Sequence, residues 1–77
     1  MLYPYQFYSM ERIKEMDIVR NTLISRFYDL HIGEIDEIYN MSTDILQKLI
    51  DELEDADINV ELEDDIIRLA DIVKKYL

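Results

Sequence analysis

The stretch S9-MERIKEMDIVRNTLISRFYDL-H31 repeats large apolar residues at steps of three and four: Met16, Val19, Leu23, Phe27 and Leu30, with Ile13, Ile24 and Tyr28 widening the stripe. That period places them on one side of an α-helix and predicts an amphipathic helix over residues 9–31. Ser9 has the side chain an N-cap needs, and Glu11 and Glu15 lie toward the positive end of the helix dipole. Gly33 is the only glycine and stands where a left-handed C-cap is wanted. His31, the only histidine, is read as satisfying carbonyls at the helix end rather than as a general base.

Upstream of this helix, Tyr3, Tyr5, Phe7 and Tyr8 surround Pro4. Proline disfavours helix at the residue before it, so residues 1–8 are expected to be an extended aromatic lead. Downstream, EIDEIYN (34–40) puts Ile35, Ile38 and Tyr39 on one side of a short helix. Ser42 or Thr43 can cap a third helix over 43–55, whose apolar face is Ile45, Leu46, Leu49, Ile50 and Leu53. Asp44, Lys48 and Glu52 form an i,i+4 ladder on its outer side.

In DADINV (55–60) Ile58, Val60 and Leu62 alternate with polar residues, a strand pattern, but no second alternating run exists to pair with it. This segment is expected to be a loop. A last helix is predicted over 61–76 with Leu62, Ile66, Leu69, Val73 and Tyr76 in its stripe, broadened by Ile67, Ala70 and Leu77. Glu61, Glu63, Asp64 and Asp65 crowd its start and Lys74 and Lys75 its end, matching the dipole at both poles. Asp64 with Arg68 and Asp71 with Lys75 have i,i+4 spacing. The expected fold is all-α: one domain, a small bundle of three or four helices with an extended lead.

A 77-residue chain buries a smaller fraction of its surface than a larger domain does, and with no cysteine it has neither disulfides nor thiolate metal ligands to reinforce it. Regular helix packing or self-association must supply the stability, and the wide apolar faces suggest a homodimer. With 49% hydrophobic residues the chain lacks the composition of a disordered protein. No apolar run approaches the length of a membrane span, and MLYPYQFYSM has no basic start of the kind a signal peptide carries. A cytoplasmic location with no membrane association is expected.

The formal net charge is −10, and its distribution is uneven. In residues 1–31 Arg12, Lys14, Arg20 and Arg26 balance Glu11, Glu15, Asp17 and Asp29, so the whole excess falls in residues 32–77. It peaks at Asp51, Glu52, Glu54, Asp55, Asp57, Glu61, Glu63, Asp64 and Asp65, a stretch without a single base. Nucleic-acid backbones and anionic membranes would be repelled, whereas a basic protein surface would be attracted. Acids at the end of the third helix also oppose its dipole, and a local rule broken without local gain marks a place to look for function.

Asp55, Asp57, Asn59, Glu61 and Glu63 fall at alternate positions as in the first part of an EF-hand loop, but Val60 stands where glycine is required and Ile66 where the bidentate glutamate belongs. No metal site or cofactor is therefore expected. Without a cysteine, and with Ser9, Ser42 and Thr43 taken as caps, no nucleophile and base come together, and no P-loop, GxGxxG or HExxH occurs. An enzyme is not expected.

The function expected from these features is a small acidic protein-binding regulator or inhibitor. It would dock on a basic surface of a partner protein, such as a nucleic-acid-binding site, through Asp51, Glu52, Glu54, Asp55, Asp57, Glu61 and Asp64. Phage-encoded inhibitors and bacteriocin immunity proteins share this size and charge, an analogy and not a match of residues. Two other readings compete. The acids could serve only to solubilise a small domain, or the apolar helix faces and the lead residues Tyr3, Tyr5, Phe7 and Tyr8 could make an oligomerisation module.

Overall fold

A computed structural model describes residues 9–77, and all of its regular structure is helical. The helices are α1 (Met10–Asp29), α2 (Ile35–Tyr39), α3 (Thr43–Asp55) and α4 (Ile66–Lys74). The aromatic lead, with Tyr3, Tyr5, Phe7 and Tyr8, lies outside the described residues.

Two serines start the long helices as the sequence predicts. The Ser9 hydroxyl accepts from the Arg12 amide at 3.0 Å, and the Ser42 hydroxyl from the Ile45 amide at 3.3 Å. Each satisfies one of the four amides a helix leaves open at its start. From α1 the buried residues are Met16, Leu23 and Phe27, and from α3 Leu46, Leu49, Ile50 and Leu53. Leu30 and Tyr28, which the sequence stripe includes, are instead exposed: Leu30 lies just past the end of α1 at Asp29, and Tyr28, inside the last turn, faces solvent.

α1 packs against α2 and α3, and α3 packs against α4. The fully buried set Phe27, Leu23, Ile38, Leu46, Leu49, Leu69 and Val73 draws on all four helices. Each such side chain contributes roughly 1.5–3 kcal/mol of transfer free energy, and they form one continuous core that takes in Ile38 although α2 is only 5 residues long.

Both α1 and α3 stop through the same backbone device. After α1, the Ile32 amide bonds the Phe27 carbonyl at 3.0 Å and the His31 amide the Tyr28 carbonyl at 3.2 Å. After α3, the Ile58 amide bonds the Leu53 carbonyl at 2.9 Å and the Asp57 amide the Glu54 carbonyl at 3.0 Å. These are Schellman motifs, which need a left-handed residue just past the cap. Here His31 (φ 56°) and Asp57 (φ 56°) take that conformation. Gly33 (φ 86°) is not the capping residue; it turns the chain two residues later, followed by Glu34 at φ 63°. It is the His31 amide, not its ring, that closes the helix end.

The last helix departs most from its sequence reading. It begins at Ile66 rather than Glu61, because the acids before it build a turn instead of a first helical turn. The Asn59 side-chain oxygen accepts from the Glu61 amide at 2.9 Å, and the Asn59 carbonyl accepts from the amides of Leu62 and Glu63. The Asp65 carboxylate then caps α4 by accepting from the Arg68 amide at 3.1 Å. Leu62 is consequently outside the helix and exposed, Ile67 is exposed as well, and Ile72 joins Leu69, Ala70 and Val73 in the buried face. Residues 58–60 are a loop, and their alternation reflects a chain tucked under the Schellman turn with Ile58 and Val60 buried.

Candidate acidic docking surface

The structure divides the acidic stretch into carboxylates that hold the fold and carboxylates that do not. Arg12, near the start of α1, reaches across to α3. Its Nε donates to Gln47 Oε1 at 2.9 Å, one terminal nitrogen to Glu15 at 2.9 Å and Glu54 at 3.2 Å, and the other to Asp51 at 3.2 Å. Gln47 also donates to Asp51 at 2.7 Å. Partial burial pulls the Arg12 pKa down, but the hydrogen bonds it donates to Glu15 and Glu54, with their charges, outweigh it and the net shift is upward. Asp51 and Glu54 are thus counter-charges to α1.

Glu52 faces the other way. It accepts from Lys75 Nζ and from the Tyr76 hydroxyl, each at 2.6 Å. The Lys75 bond first, then the Tyr76 bond, holds its carboxyl below the usual carboxylate range. In turn Glu52 raises the Tyr76 phenol above its ordinary value. This contact latches the end of the chain onto α3. It replaces the Asp71–Lys75 pair the spacing suggests and takes Glu52 out of the proposed outer ladder.

The remaining predicted acids stay free. Among the described residues, the carboxylates of Asp55, Asp57, Glu61 and Asp64 are exposed and make no hydrogen bond or ion pair. The Asp64–Arg68 pairing expected from spacing is absent, since Arg68 lies 3.8 Å from Glu63 and donates to the Ala56 carbonyl at 2.8 Å. Ala56 is the C-cap of α3, whose last turn holds no basic residue. Arg68 therefore supplies from α4 the positive charge that α3 lacks at its negative pole.

The same service recurs elsewhere, and the sequence reading missed it. Arg20 donates to the Tyr39 carbonyl at 2.5 Å, at the end of α2, which also has no basic residue in its last turn. Arg26 donates to the Val60 carbonyl at 2.8 Å and so pins the loop before α4. A signal was available. Arg12, Arg20 and Arg26 each lie three or four residues from buried Met16 or Leu23, on the flank of the apolar stripe, where a long side chain reaches over the core to a neighbouring element.

Two exposed apolar side chains interrupt the free acids. Leu62 is 73% exposed and Ile67 72%, both in the same stretch of chain as Glu61 and Asp64. Among the described residues, no three His, Cys, Asp or Glu side chains converge to hold a metal ion, and no helix is long and apolar enough to cross a membrane. No protein-family model, curated protein or solved structure matches the chain.

Proposed function

We propose that this chain works by binding, as a small acidic regulator or inhibitor that docks the segment from Asp55 to Ile67 onto a basic surface of a partner protein. One observation carries the reading. Among the described residues, Asp55, Asp57, Glu61 and Asp64 are exposed and unpaired in the same segment that exposes Leu62 and Ile67. Charges spent on the fold are found in ion pairs, as Asp51, Glu52 and Glu54 are. Unpaired acids give fast, selective encounter with a basic partner, and exposed aliphatic residues among them supply apolar contact that charge alone does not. Of the seven acids expected from the sequence, four form the docking set and three are structural.

The test is capture of partners from native-host extract by the full chain and by its Asp55→Lys, Asp57→Lys, Glu61→Lys, Asp64→Lys variant. A specific partner is expected to be lost while the helical circular dichroism is unchanged. Equal capture by both proteins overturns the reading.

Leu62 and Ile67 also favour a second reading, a module that self-associates through these apolar residues. In that case Leu62→Ser with Ile67→Ser lowers the mass at sedimentation equilibrium, and charge reversal does not.

A further inference from the structure

Beside the free acids, α1, α3 and the loop after α3 enclose a groove of about 190 Å³. Its lining includes Val19 and the buried Leu53, Ile58 and Val60, and the exposed Glu15, Glu54 and Asn59 complete it, the two carboxylates marking its mouth. An apolar cavity of about 150 Å³ takes a benzene-sized group, so this groove takes one side chain and not a helix. The charge at the mouth is only partly compensated. Glu15, Asp51 and Glu54 share the single guanidinium of Arg12, which occupies one oxygen of each. The second oxygens, Glu15 Oε1 and Glu54 Oε2, are unoccupied among the described residues. An ionised carboxylate accepts at both oxygens, so each can take a further donor.

We infer that this groove is the anchor pocket for one arginine of the basic partner, its aliphatic stem lying on Val19, Ile58 and Val60 and its guanidinium reaching the free oxygens of Glu15 and Glu54. A long basic side chain fits such a place because its stem is apolar and its head charged. Arginine fits better than lysine because its fork of donors can address two carboxylates at once. The inference rests on the docking role proposed above and names the chemistry of its anchor.

The experiment titrates the ¹⁵N-labelled full chain with a short peptide carrying one arginine between two leucines. Two control peptides replace the arginine with norleucine or the leucines with glycine. Saturable shifts are expected at the amides of Val19, Leu53, Ile58 and Val60. The Glu15→Gln, Glu54→Gln variant is expected to weaken binding about tenfold, the scale of one charge-assisted hydrogen bond. Val19→Lys, which places a cation in the groove from within, is expected to abolish it and gives a second test should the double variant lose its helical signal. Asp55→Asn with Asp57→Asn, Glu61→Gln and Asp64→Asn should leave these shifts in place. Equal binding of the norleucine peptide, no effect of Glu15→Gln with Glu54→Gln, or shifts spread along 51–65 each overturn the arginine pocket. Those results leave partner capture by the free acids standing, whereas loss of capture sensitivity with the groove shifts intact overturns the docking role instead.

Discussion

The ends of α1 and α3 share one backbone motif and differ in everything around it. Each has a non-glycine left-handed residue, His31 or Asp57, and each returns two amides to the helix. At the end of α1, Arg26 already stands in the last turn. At the end of α3 the last turn carries Glu52, Glu54 and Asp55 with no base, and the compensating cation, Arg68, comes from α4. The first end carries a cation of its own, Arg26, beside one acid, Asp29, whereas the second draws its cation from another helix. A helix end that keeps unpaired acids against its own dipole gives up stability locally, and it does so where the free carboxylates Asp55 and Asp57 are displayed.

The largest effect that would sharpen this contrast comes from the apolar anchors of the two turns. Ile58 is buried, and Ile58→Ala is expected to cost about 3 kcal/mol in urea unfolding. Ile32 is only partly buried, and Ile32→Ala is expected to cost about 1 kcal/mol. Equal losses would erase the difference between the turns. Next, Arg68→Ala is expected to cost about 1 kcal/mol, since its bond to the Ala56 carbonyl is charge-assisted but exposed. Amide exchange should then quicken at Ala56, Asp57 and Ile58 and stay unchanged at Leu30, His31 and Ile32.

Smaller and opposite in sign are the glycine replacements. Asp57→Gly and His31→Gly each relieve a left-handed side chain and are expected to raise stability by up to about 1 kcal/mol. Asp57→Gly should gain a few tenths of a kcal/mol more, because it also removes an acid from a negative pole. Thermal unfolding of the two variants under one buffer reads the difference, and a larger gain at His31 would break the electrostatic part of the comparison.

The smallest effect is the pH dependence of the latch on α3. Glu52 has a depressed pKa, so its contribution is present above the ordinary carboxylate value of 4.5 and is lost as pH falls through its folded value. Tyr76 has a raised pKa, so its contribution is present below its ordinary 10.0 and is lost as pH rises through its folded value. Tyr76→Phe removes one of the two bonds that depress Glu52 and should flatten the acid limb of Tm against pH.

Much of this architecture is legible in the residues. The stripe Met16, Leu23, Phe27 and the serines at 9 and 42 announce α1 and α3 because helix period and N-caps are interactions within a turn. The start of α4 is not legible. Acids at 61–65 suit a first helical turn, yet Asn59 and Asp65 offer the backbone competing side-chain bonds, and these win. The acidic site is half legible in the same way. Its charge and position follow from the sequence, but Asp51 and Glu54 cannot be told from Asp55 and Asp57 without knowing what lies opposite.

By itself, then, the sequence determined the helical class, the two capped helices and the confinement of the net negative charge to residues 32–77. Those properties depend on composition or on neighbours within about four residues. Only the tertiary structure decided which arginines close which helix ends, which acids are consumed and which remain free. The reason is reach: Arg12 meets Asp51 across 39 positions of sequence, and such a pairing exists only once packing of the apolar faces has brought α1 beside α3.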